Sequence, residues 1–97
     1  MEIDLKKDEL SIVKNTLDRH LQHVDYFVFG SRAKNTAKHY SDLDIALVGR
    51  EPISLKILSA LEEDFAESDL PFMVDLVDWQ RISSEFQDKI KSEWKKI

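Results

Sequence analysis

The chain contains no cysteine, which removes disulfides, zinc–thiolate sites and thiol nucleophiles together. Glycine and proline are scarce, two of each, so each position that holds one is informative about a turn. No apolar run approaches the roughly 20 residues needed to span a bilayer. The opening MEIDLKKDEL alternates charged and apolar residues and lacks the apolar stretch of a secretory signal. A soluble cytoplasmic protein, away from membranes, is therefore expected. Basic residues are the minority, 14 against 19 acidic, for a net charge of -5. Proteins that grip a polynucleotide draw their affinity largely from neutralised phosphates. The acidic balance therefore argues against a polynucleotide substrate, but not against a nucleotide whose phosphates arrive on magnesium.

What is present is enough for one core. At 97 residues and 42% hydrophobic content, residues 1–97 are expected to form a single minimal domain. A chain this short has little room for a second substrate-binding lobe. Over residues 8–22, Leu10, Val13, Leu17 and Leu21 recur at three- and four-residue steps, the pattern of an amphipathic helix. Tyr26-Phe27-Val28-Phe29 is aromatic and β-branched and stops at Gly30, which predicts a buried strand. Ser31 is placed to cap a short helix through Arg32, Ala33 and Lys34. Residues 43–48 predict a second strand, with Leu43, Ile45 and Leu47 on one face and Asp42, Asp44 and Ala46 on the other.

Pro52 and Ser54 open a further helix bearing Leu55, Leu58, Leu61 and Phe65. Residues 72–77 predict a third strand, apolar apart from Asp75. A last helix from about Ser83 carries Phe86, Ile90 and Trp94 at four-residue spacing, with Ile97 one turn further on. The predicted class is α/β (α+β), a small mixed sheet flanked by about four helices.

Chemistry concentrates in Gly30-Ser31-Arg32-Ala33-Lys34 and Ser41-Asp42-Leu43-Asp44. Residues i and i+2 of a strand share a face, so Asp42 and Asp44 stand side by side. Two like charges there are costly unless a cation lies between them. Oxygen-only ligation suits magnesium, which combines one or two carboxylates with water and substrate phosphates. By itself Asp-x-Asp is more often a solvated strand start. Gly30 and Ser31 alter the weighing: a glycine closing a strand admits a ligand close to the backbone, and the amides that follow form an anion site. Ser31 adds a hydroxyl, and Arg32 or Lys34 adds positive charge. For both segments to meet one ligand, the first two strands must run antiparallel. A third acid is sought on the third strand, where Asp75 and Asp78 have opposite parity. Parity and the cost of burying an unpaired charge favour Asp75 for chemistry and Asp78 for a turn.

Gly30-Ser31 followed, after ten residues, by Asp42-Leu43-Asp44 resembles the signature of the DNA polymerase β-like nucleotidyltransferase superfamily. With Phe29 before it, Ser41 and Ile45-Ala46-Leu47 around the acids, and Val74-Asp75-Leu76-Val77 beyond, the pattern is similar to that of the minimal nucleotidyltransferases (MNT). Asn35 stands where such proteins often have glycine, and Asn tolerates positive φ. The resemblance implies a polymerase β palm-like fold with Asp42, Asp44 and Asp75 as catalytic, metal-binding acids. It implies a two-magnesium site, ATP as substrate, and phosphates held by Gly30, Ser31, Arg32 and Lys34. It further implies an antitoxin that adenylylates a helical HEPN-type toxin encoded next door. The alternatives are a non-catalytic module that neutralises its partner by contact and an aminoglycoside-type small-molecule nucleotidyltransferase. His20 and His23 are three residues apart and expected to be solvated or capping. His39 and Tyr40 are expected in a surface loop, and Trp94 and Phe86 in the core.

Overall fold

A computed structural model of the chain describes residues 3–97. Helix α1, Lys7–His20, buries Val13 and Leu17 completely, as its apolar stripe requires. Its start is held by Glu9, whose Oε1 accepts the Lys6 N–H at 2.9 Å. It ends two residues earlier than the periodicity predicts: Leu21 is extended and His23 takes φ 60°, which turns the chain into the sheet. Strands β1, Asp25–Phe29, and β2, Leu43–Val48, pair antiparallel, as the shared-ligand argument demanded. Helix α2, Leu55–Ala66, starts at the Ser54 side chain, which accepts from the Ile57 N–H. It carries the chain over to β3, Val74–Asp78, parallel to β2.

The four-stranded order is β3-β2-β1-β4, and strand parity divides it into two packed faces. Tyr26, Val28, Leu43, Ile45 and Leu47 meet α1 and α2 in the larger core. Ala46 packs with Trp79 and Ile90 on the other face, joined by Phe27, Phe29, Val77 and Trp94. Full burial of a side chain such as Leu17 or Ile45 contributes about 1.5–3 kcal/mol, so the two-sided packing fixes the register of β2.

Two expected helices differ. The turn after β1 is a single 3₁₀ turn, Gly30–Arg32, and Ser31 lies inside it rather than at its cap. Helix α3, Ser84–Lys91, closes at Ser92, so Trp94 and Ile97 are not on its stripe. The chain instead turns and adds β4, Lys95–Lys96, to the free edge of β1. The reason lies in backbone demand and aromatic packing. Ile97 N–H bonds to the Tyr26 carbonyl at 3.0 Å, and Trp94 stacks on Phe27 with ring centroids 3.8 Å apart. Strand parity sends Trp94 to the smaller core and Ile97 to the larger one, where a helix would have put both on one side. The described residues thus hold three α-helices rather than four. Strand β3 also begins later than predicted, leaving Phe72 buried in the loop before it.

Candidate active site

The sheet register brings the acids together. Asp44 is directly opposite Phe29 on β1 and beside Asp75 on β3, so Asp44 and Asp75 occupy one row of the sheet. Asp42 lies two residues back on the same face. Asp42 and Asp75 are exposed and Asp44 is half-buried. Asp75 can carry its charge on an apolar strand because β3 is an edge and this end of its face is open. Gly30 follows Phe29 with φ 74°, a conformation L side chains rarely adopt. A β-carbon there would lie 2.4 Å from Asp44 Oδ2, so glycine is needed twice over.

Burial, and then the charges of Asp75, Asp42 and Glu93, push the Asp44 carboxyl from its ordinary 3.8 up to about 6. Glu93 is a further acid at this site that the sequence pattern does not single out. It follows α3, and its Oε2 accepts the Gly30 N–H at 2.9 Å and lies 3.4 Å from Lys34 Nζ. No sequence signal marks it, because its position depends on β4 pairing with β1.

The phosphate-binding role expected of the Arg32 side chain is not what the structure supports. Arg32 is 5% exposed. Its Nε and Nη2 donate to the Ser41 carbonyl at 3.1 and 2.9 Å, and Nη1 donates to the Asp4 carbonyl at 2.8 Å. The guanidinium also sits 4.0 Å from the centre of the Phe72 ring. Five donors in a rigid fork suit this many carbonyls better than one phosphate. Arg32 therefore braces the loop that leads into Asp42. Lys34 and Ser31 stay at the turn: the Ser31 carbonyl accepts from the Lys34 and Thr36 amides, and Asn35 takes φ 57° as the turn requires.

Asp78 is buried and its carboxylate is fully engaged within the fold. Its carboxylate accepts from the Ile53, Gln80 and Arg81 nitrogens at 2.8, 3.1 and 3.0 Å. His39 and Tyr40 form an edge-to-face pair in the loop before Asp42, with Tyr40 73% exposed. His20 neither ligates nor caps; it pairs with Asp64 of α2. Asp42, Asp44, Asp75, Gly30, Ser31 and Lys34 are thus gathered at one end of one face, and Arg32 supports them from behind.

Among the described residues, no three His, Asp or Glu side chains converge closely enough to hold a metal ion unaided. The acids are nevertheless close enough to act on one another: after burial, the charges of Asp75 and Asp42 are what raise the Asp44 carboxyl. An open set of oxygen donors with excess negative charge fits a hard divalent cation that brings water and phosphate oxygens with it.

Residues 11–97 match the family model described as polymerase beta, nucleotidyltransferase. The probable protein adenylyltransferase MntA of Haemophilus influenzae is 43% identical over 90 residues, covering 93% of this chain and 79% of that protein. A toxin–antitoxin crystal structure with AMP-PNP superposes at TM-score 0.76 with 24% identity, over 89% of this chain and 69% of that one. A complex of tri-AMPylated Shewanella oneidensis HEPN toxin with MNT antitoxin gives TM-score 0.69 and 22% identity, over 89% and 66%. These structural likenesses carry the fold. Among the described residues no helix is long and apolar enough to cross a membrane.

Proposed function

The chain belongs to the polymerase beta nucleotidyltransferase family, and from that premise we propose that it is a protein adenylyltransferase acting as the antitoxin of a HEPN-type toxin. The observation that carries this reading is Asp44 and Asp75 in register on β2 and β3, with the close-approach turn at Gly30 set against the Asp44 carboxylate. The 43% identity to a probable protein adenylyltransferase supports the reaction, and the tri-AMPylated HEPN toxin held by an MNT relative supports the acceptor.

Asp42 and Asp44 would hold magnesium on the triphosphate, with Asp75 completing a two-metal site. The bound metal would supply charge neutralisation along the phosphates and acidify the acceptor hydroxyl. The Gly30 and Ser31 turn and the Lys34 ammonium hold the outer phosphates and aim the α-phosphorus at the acceptor. Asp75, on the β3 side of Asp44, receives the proton of the incoming toxin hydroxyl on its carboxylate. The acceptor oxygen bonds to the α-phosphorus as the bond to the β-phosphate oxygen breaks, and pyrophosphate leaves with that electron pair. Such chemistry is mostly positioning and electrostatics, which a small scaffold can provide.

The test is incubation of the purified chain with magnesium, α-labelled ATP and the helical protein encoded beside it. Label should pass to the partner and disappear with Asp42→Asn/Asp44→Asn. Neutralisation of the toxin that survives the double substitution, with no label transferred, would replace this reading with neutralisation by contact.

A further inference from the structure

Glu93 stands where a phosphate oxygen is expected. The turn it belongs to is fixed on both sides: Ile90 is 1% exposed, and Trp94 is stacked on Phe27. Its own N–H bonds to the Ile90 carbonyl at 3.1 Å. Between these anchors the side chain reaches the turn after β1. There a single carboxylate oxygen takes the Gly30 N–H at 2.9 Å and the Lys34 ammonium at 3.4 Å. A backbone amide and an ammonium converging on one anionic oxygen are the donors a terminal phosphate demands. The placement is unfavourable in every other respect, since Glu93 adds a fourth negative charge beside Asp42, Asp44 and Asp75.

We propose that Glu93 is an internal occupant of the triphosphate seat, holding Gly30 and Lys34 in their binding arrangement and yielding them only to a polyphosphate that displaces it. The inference rests on the reading that this turn holds the outer phosphates. Displacement needs only rotation of the side chain, because the flanking backbone is pinned by Ile90 and Trp94. While the carboxylate is seated, the apparent affinity for nucleotide is lowered by the fraction of molecules in that state. The seat thus stays ordered when no nucleotide is bound, and weakly charged anions are excluded from it.

Isothermal titration of the full chain with ATP and with inorganic tripolyphosphate, in EDTA, tests this. Glu93→Gln keeps the length and an acceptor for Gly30 while removing the charge, and should tighten tripolyphosphate binding roughly five- to tenfold. Lys34→Met should then weaken binding more in the Glu93→Gln background than in the wild type, where the lysine is already engaged. Melting curves check the fold. If Glu93→Gln proves unstable, Glu93→Asp, one methylene shorter, should give a smaller gain in the same direction. Unchanged or weaker binding by folded Glu93→Gln, with wild-type binding intact and sensitive to Lys34→Met, overturns the proposal and leaves the phosphate seat standing. Binding indifferent to Lys34→Met in both backgrounds removes the seat itself, and the proposal with it.

Discussion

Gly30 and Asp44 touch across the end of the β1–β2 pair: Oδ2 of Asp44 fills the space where a side chain at residue 30 would begin. The glycine also holds φ 74°, so substitution there meets backbone strain and a carboxylate together. Gly30→Ala should cost about 1–2 kcal/mol from the backbone alone. It should also turn the Asp44 carboxylate away and lower adenylyl transfer by at least about a hundredfold, as misplaced reacting groups do. Thermal melting and label transfer measured on one preparation check both; retention of full activity would show that Asp44 does not need its present position.

A second prediction concerns pH. The Asp44 carboxyl is raised to about 6 in the folded chain, first by burial and then by Asp75, Asp42 and Glu93. Between its ordinary value of 3.8 and about 6 the folded state binds more protons than the unfolded state. Stability therefore falls as pH rises through that window, and the repulsion is fully felt above it. In EDTA the melting temperature should decline from pH 4 to pH 7 relative to Asp44→Asn, which should be the more stable protein at pH 7. Parallel curves for the two proteins across that window would mean the carboxylates do not strain the fold. Magnesium with ATP should raise the wild-type melting temperature at pH 7 and leave Asp42→Asn/Asp44→Asn nearly unmoved.

Much of this site is legible in the chain because strand geometry is strict. Parity alone puts Asp42 with Asp44, and the demand that Gly30 and Asp42 meet one ligand fixes β1 antiparallel to β2. The same parity sets Asp75 beside Asp44 and leaves Asp78 on the opposite face, where it is buried. Where the reading failed, the deciding partner was distant in sequence. Arg32 looks like a phosphate ligand until the loop at 38–41 folds back and presents its carbonyls. Trp94 at four-residue spacing from Ile90 is equally consistent with a helix or with two faces of a turn and strand. Only the unpaired edge of β1 selects the strand, and with it the placement of Glu93.

Arg32 supplies the third prediction. Removing the guanidinium leaves the carbonyls of Asp4 and Ser41 short of donors in a largely buried setting. Arg32→Met should cost about 2–4 kcal/mol, which is on the order of 10 °C or more in melting temperature for a domain this size. Arg32→Lys should rescue little of it, because an ammonium cannot serve the same fork. The discriminating measurement is tripolyphosphate affinity at a temperature where the variant is folded. A loss as large as that from Lys34→Met would return Arg32 to the phosphate seat.

The last prediction sets two acids of one strand against each other. Asp78 is 6% exposed and satisfies the Ile53 amide, the Gln80 amide and the Arg81 guanidinium. Asp78→Ala leaves a buried donor at Ile53 and should destabilise the chain by about 2–4 kcal/mol. Whatever fraction stays folded should transfer adenylyl groups at close to the wild-type rate. Asp75 is exposed and lies beside Asp44 in a field of like charge, so Asp75→Asn should leave stability unchanged or slightly raised. It should nevertheless reduce label transfer by a factor of about a hundred to ten thousand, the scale of losing a positioned base. The two variants should separate cleanly on a plot of melting temperature against rate. If Asp75→Asn keeps its rate while folded Asp78→Ala loses it, the parity argument is wrong and the third acid is Asp78.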